Sequence, residues 1–167
     1  GDQVYLPLYE AKMVHQFDHR FATYTDTGET RDVTGDEKAN PAFVPLPRYW
    51  VQYGTVQEKL ARRNRSSTFE TGWRQPWALG WRDIARSTDE RTMIAAVYPR
   101  VGAGDTFLQM HPTASTGKIA HLLANLGAVV FDYATRQKIG GTHLKYHVTR
   151  QLPVLRPDDY PAEFSGF

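Results

Sequence analysis

STGKIAHLLANLGAVVFDYATRQKIGG, residues 115–141, is the stretch whose reading decides the fold. Ile119, Leu122, Leu123, Leu126, Val130 and Tyr133 follow i, i+3, i+4, i+7, i+11 and i+14, the spacing of one buried helical stripe. The spacing predicts one long helix over 115–139, closed by Gly140-Gly141, with Lys138 at the negative end of its dipole. After it, Leu144, Tyr146 and Val148 alternate with His143, Lys145, His147 and Thr149, which reads as a strand with one apolar and one basic-polar face.

Working outward, Trp77, Leu79 and Trp81 alternate with smaller or polar residues, as a half-buried strand does. TMIAAVY (92–98) is a second strand stopped by Pro99, and VGAGD (101–105) is a turn feeding a third, TFLQM (106–110). Thr55 to Glu58 have capping-box spacing, so a short helix is expected there with Val56 and Leu60 on its buried side. Residues 5–24 fit strand pieces or a short helix. The run TDTGETRDVTGDEKANP (25–41) reads as an exposed, mobile loop within 25–45, and residues 156–167 as a Pro-rich tail. The sum is a single α+β domain over 1–167, with short mixed or antiparallel strands packed with one long helix in the C-terminal half.

With 167 residues, 41% hydrophobic and 13% aromatic, the chain can bury a core without staples. It contains no cysteine, so disulfides and thiolate metal sites are excluded, and a cytoplasmic location is the simple expectation. No apolar run has membrane-spanning length, and the start, GDQVYLPLYE, reads as an excised segment without a signal peptide. The net charge of +2 is unevenly spread. Residues 1–47 carry four basic and eight acidic side chains, residues 48–100 ten and five, and residues 101–167 sum to +1. A basic middle suits phosphates.

Several short motifs have a catalytic look. Asn40-Pro41-Ala42-Phe43 approaches the Asn-Pro-Pro-Tyr/Phe signature of amino-methyltransferases, but it sits in a polar loop and lacks the second proline. The glycines of VGAGD neither follow a clean apolar strand nor open a helix, as a loop cradling S-adenosylmethionine should. Glu10-Ala11-Lys12 is half of a nuclease signature whose other half stands downstream, in the wrong order. His15 with His19, and His143 with His147, share i, i+4 spacing without a recognised metal-site pattern. No catalytic, cofactor-binding or metal-binding residue is therefore assigned.

The basic constellation is of another kind. ARRNRSST (61–68) sets Arg62, Arg63 and Arg65 among hydroxyl and amide donors suited to phosphate oxygens. Arg74, Arg82, Arg86 and Arg91 follow, interleaved with Trp73, Trp77 and Trp81, which are equally readable as an interface or as core.

Longer blocks carry a resemblance. LPLYEAKMVHQFDHRFATY, LPRYW, ALGWRDIARSTDERTMIAAVYPRVGAGDTFLQM and LLANLGAVVFDYATRQKIGGTHLKYHVTRQLPVL occur in this order from about Leu6 to Leu155. Together they resemble the TaqI-like C-terminal specificity domains of large bacterial restriction-modification and phage-defence DNA adenine methyltransferases. One departure is Leu126-Gly127-Ala128, where that family carries an Asn-Ser pair, a difference expected to bear on helix packing more than on recognition. The resemblance implies a non-catalytic target-recognition domain that reads double-stranded DNA. It also implies a separate N-terminal domain that binds S-adenosylmethionine and methylates adenine.

On this reading Arg62, Arg63, Arg65, Arg74, Arg82 and Arg86 clamp phosphates, and Thr142, His143 and Lys145 form a second DNA surface. The blocks RSTDER (86–91) and RQKIGGTHL (136–144) are expected to be scaffold or interdomain contacts. The alternatives are a self-contained S-adenosylmethionine-dependent methyltransferase and a protein-interaction module.

Overall fold

The computed structural model describes residues 3–61, 73 and 75–160. The chain is α+β, and the strands among the described residues form three small sheets. β1 (Tyr5–Tyr9) lies between β4 (Trp50–Gln52), to which it is antiparallel, and β7 (Gly102–Ala103), to which it is parallel. β2 (Ala22–Tyr24) and β3 (Thr30–Asp32) make a hairpin. β5 (Trp77–Arg82) is the centre of an antiparallel sheet, flanked by β6 (Ala95–Pro99) and β8 (Phe107–Met110).

β5 is buried on both faces, where its alternation predicted burial on one. Leu79 and Trp81 pack with Ala95, Ile119, Leu126, Phe131 and Leu144 in one core. Ala78 faces the other way, into a second core with Tyr9, Met13, Val14, Ala96, Tyr98 and Phe107. The small residues of β5 are thus the price of a second packed layer. A Cβ on Gly80 would lie 2.7 Å from the Leu108 carbonyl oxygen and 2.8 Å from the Phe107 ring.

The helix expected over 115–139 is two helices, α3 (Thr116–Gly127) and α4 (Val129–Lys138), separated by an extended Ala128 (φ −68°, ψ 141°). The Phe17 ring and the Gln16 amide lie over Gly127, so a side chain there would have to displace them. Its carbonyl, which helix continuation would need, accepts from Arg91 Nη2 at 2.6 Å. The break resets the helical phase. Ile119 and Leu126 are buried as expected, but Val130 and Tyr133 are 80% and 64% exposed, and α4 buries Phe131, Asp132 and Thr135 instead.

Asp132 explains that choice of face. Its Oδ1 accepts from the Thr92 and Met93 backbone N–H groups, each at 2.8 Å, and its Oδ2 accepts from Arg136 Nε at 3.0 Å. Arg136 in turn donates to the carbonyls of Ser87, at 2.9 Å, and Glu90. The segment 86–93 is thereby fastened to α4 through charge-assisted bonds.

Two further expectations change. The segment 144–148 is not a strand, because Lys145 is an extended cap for the short helix α5 (Tyr146–Thr149). Leu144 and Val148 are buried and Tyr146 is not, so only residues four apart face the core. The helix α2 (Tyr53–Ala61) starts two residues before Thr55, directly out of β4, so Thr55 is no N-cap, although Val56 and Leu60 are buried as predicted. The polar 25–41 run holds the β2–β3 hairpin turn, with Gly28 at φ +79°, and the single-turn α1 (Gly35–Ala39) behind a Thr34–Glu37 capping box. At the far end, Tyr160 stacks on His121 with ring centroids 4.3 Å apart, which brings the 156–160 segment back onto α3.

Two stability measurements check this account. Gly80→Ala is expected to cost about 1–3 kcal/mol in urea unfolding because backbone and ring must move, whereas Gly140→Ala, with nothing within 4 Å of its Cβ, should stay within about 0.5 kcal/mol. Asp132→Ala orphans two buried N–H groups and uncouples Arg136, for an expected loss of about 3–5 kcal/mol; a loss below 1 kcal/mol would remove Asp132 from its role as a tie.

Candidate nucleic-acid interface

Arg62, Arg63, Arg65 and Arg74 lie outside the described residues. The other expected DNA contacts gather where β5 ends. Arg82 is half-buried and lines a cleft beside Lys12 and Arg48. Burial lowers its guanidinium pKa from the ordinary value. Arg86 is exposed, its backbone N–H held by Asp89 Oδ2 at 2.9 Å and its carbonyl by the Thr92 hydroxyl.

Thr142, His143 and Lys145 form a strap across the residues after β5. The Ala85 N–H donates to the Thr142 carbonyl, and Ile84 and His143 form an antiparallel bridge. The buried Asp83 carboxylate holds both basic side chains through one oxygen, with His143 Nδ1 and Lys145 Nζ each 2.8 Å from Oδ2. The Leu144 N–H donates to the Asp83 carbonyl, and Trp81 Nε1 donates to the Leu144 carbonyl at 2.8 Å. The hydrogen bond to Asp83 raises the Lys145 pKa above its ordinary value. The strap is thus a tied surface element, with the His143 ring 57% exposed.

A more prominent surface feature lies elsewhere. Tyr49 and Trp50 adjoin in sequence, and side chains on a strand alternate between faces, so both cannot point into one core. Both are exposed, at 52% and 54%, as are Tyr5 and Tyr53. The register pairs Tyr5 with Gln52 and Pro7 with Trp50, which sets Tyr5 and Trp50 on the outer face of the sheet, while Leu6 and Val51 take the inner one. The Arg48 guanidinium lies 5.4 Å from the Tyr49 ring centroid, and β4 is an edge strand. The tryptophans singled out by sequence are core by contrast. Trp81 and Trp73 are buried, and Trp77 meets Trp73 edge-on with centroids 5.2 Å apart. The aromatic pair inside LPRYW was the available signal for the exposed strip.

The catalytic-looking motifs are occupied by local structure. Asn40 caps the end of α1, and its Oδ1 accepts from the Ala42 N–H at 2.9 Å, so NPAF closes a turn. Gly102-Ala103 forms β7 beside β1, where a Gly102 Cβ would lie 2.9 Å from Leu8 Cδ1 of β1 and 2.6 Å from Val51 Cγ1 of β4, and it leads into β8 instead of a helix. Glu10 Oε2 accepts from the Tyr24 hydroxyl at 2.6 Å. Among the described residues no cluster of three or more His, Asp or Glu has metal-binding geometry.

No family model matches the chain, and no curated protein or solved structure matches it significantly.

The Asp83–Lys145 bond makes a pH-dependent expectation. A raised folded-state pKa contributes stability that is fully present below 10.5, the ordinary lysine value, and is lost as pH rises through the folded value. Asp83→Asn should therefore bring the Lys145 side-chain titration, followed by NMR, down toward 10.5. An unmoved titration would show that Asp83 does not hold the ammonium.

Proposed function

We propose that this chain is a double-stranded-DNA target-recognition domain of a restriction-modification-type adenine methyltransferase, and that it is not itself catalytic. The observation that carries the DNA-binding part is the group of exposed side chains around the edge strand β4, with Arg48 over Tyr49 at its entry, Trp50 and Tyr5 on its outer face and Tyr53 just after it. Large aromatic faces left in water beside a guanidinium are a poor surface for a solitary domain and a good one for nucleic acid. Arginine can pair bidentately with guanine or with phosphate, and aromatic rings can wedge against base steps or stack on an unstacked base. The strip continues into α2, and the ARRNR run follows α2 directly in the sequence.

The methyltransferase part rests on the ordered sequence blocks described above. On that reading S-adenosylmethionine and the methyl transfer belong to a separate N-terminal domain, and the chain's role is to position the target adenine. Among the described residues no helix is long and apolar enough to cross a membrane, and double-stranded DNA and that domain are the proposed partners.

A second reading, a protein-interaction module, is favoured by the exposed Val129, Val130 and Tyr133 on α4. Duplex binding separates the two. Fluorescence anisotropy should give an affinity whose logarithm falls linearly with the logarithm of salt concentration. Trp50→Ala with Tyr49→Ala should weaken it about 5- to 100-fold, and replacing Arg62, Arg63 and Arg65 by alanine should flatten the slope by about 0.9 per lost phosphate contact. Absence of duplex affinity at low salt would sink the DNA reading and leave the interaction module. Micromolar S-adenosylmethionine binding by this chain, measured by calorimetry, would overturn the non-catalytic assignment.

A further inference from the structure

A cleft of about 200 Å³ opens between the 3₁₀ turn Ala11–Met13, the end of β5 and the approach to β8. On the same measure a cavity of about 10–15 Å³ holds one water, so this one has room for a polyatomic anion and part of what carries it. Lys12, Arg48 and Arg82 reach it from three separate parts of the chain, and among the described residues Glu10 is the one carboxylate in its wall. Three cations against one carboxylate leave a formal charge of +2.

The existing bonds do not neutralise that charge. Glu10 is engaged by the Tyr24 hydroxyl at 2.6 Å. Among the described residues, Lys12, Arg48 and Arg82 make no side-chain hydrogen bond or ion pair, and Arg82 Nε is buried without an acceptor. Thr106 Oγ1 accepts from the Ala11 N–H at 3.4 Å, which leaves its hydroxyl hydrogen to donate. Asp89 acts on Arg82 electrostatically without bonding to it, and a partly desolvated guanidinium whose Nε lacks an acceptor is costly unless an anion completes it. Two planar forks beside an ammonium and a hydroxyl suit the several oxygens of a tetrahedral dianion better than a single carboxylate.

We propose that this cleft is a binding site for a phosphoryl group, with Arg82 and Arg48 on its non-bridging oxygens and Lys12 and Thr106 as the remaining donors. The inference rests on the DNA-binding reading only for the source of the phosphate. Arg48 belongs to both the aromatic strip and the cleft, so a backbone phosphate of DNA bound on the strip is within the same surface. A free phosphate monoester would bring the same chemistry.

The test is a titration of the whole chain with inorganic phosphate, followed by phosphorus NMR and calorimetry at ionic strength held constant with chloride. Saturable binding is expected. Arg48→Gln, Lys12→Gln and Arg82→Lys should each weaken it at least fivefold, with melting temperatures in phosphate-free buffer showing that each variant is folded. The Arg82→Lys variant keeps the charge and removes the fork, so its loss reports geometry and not net charge. Absence of saturable binding, or three folded variants that titrate like the parent, would overturn the site.

A second arm adds a short duplex to the phosphate-loaded protein. Displacement of phosphate assigns the site to the DNA backbone, whereas simultaneous binding of both assigns it to a free phosphate ester. Duplex binding without phosphate binding overturns the cleft and leaves the DNA reading intact. Phosphate binding without duplex binding retains the cleft and overturns the DNA reading.

Discussion

The fold depends on a strand that is given no solvent on either face. β5 alternates Trp77, Leu79 and Trp81 with Ala78 and Gly80, and each set is packed into a different core. The large side chains take up the helical layer. The small ones let Phe107 and Tyr98 close over the strand, with their rings edge-to-face at 5.0 Å. Close packing at this density leaves no slack, which is why one missing methyl at Gly80 has structural weight.

Two buried carboxylates then tie the C-terminal half to the segments that follow that strand. Asp83, immediately after β5, gathers His143 and Lys145, and Asp132 in α4 gathers the backbone at 92–93 and Arg136. Each satisfies groups far away in sequence, and each charge is balanced by a partner that lies nearer the surface. The RSTDER and RQKIGGTHL segments meet where Arg136 donates to the carbonyls of Ser87 and Glu90. The strap held by Asp83 adjoins the cationic cleft, since Arg82 and Ile84 line the cleft and Ile84 bridges to His143.

The legible and illegible parts of the sequence divide by what burial requires. Three strands were readable because runs of alternating or continuous apolar residues bounded by turn formers have few other uses, but the second runs over 95–99 instead of 92–98, with Pro99 paired to Trp77 inside it and not stopping it. The helical stripe was readable as far as Leu126. Beyond it Val130 and Tyr133 fit the same period but point to solvent, because Phe17 and Arg91, distant in sequence, occupy the helix end. Leu144 and Val148 satisfied a two-residue and a four-residue repeat equally, and only their partners chose between them. At the candidate interface, Arg82, Thr142, His143 and Lys145 were singled out by residue type alone, and their proximity at the end of β5 came from the tertiary structure. The Tyr49-Trp50 strip and the joining of Lys12, Arg48 and Arg82 were not, since they depend on strand register and on which cation is left without a partner.

The sequence by itself determined an α+β chain with a cysteine-free core, a helix beginning near 116 and a basic middle. These follow from composition and local period, which each segment carries within itself. Only the tertiary structure decided that β5 is buried twice, that the helix breaks at Ala128, and that Trp50 is outside while Trp73 and Trp81 are inside. The physical reason is the same in each case. A residue's exposure and its unpaired charge are properties of the segment packed against it, and that segment lies tens of residues away.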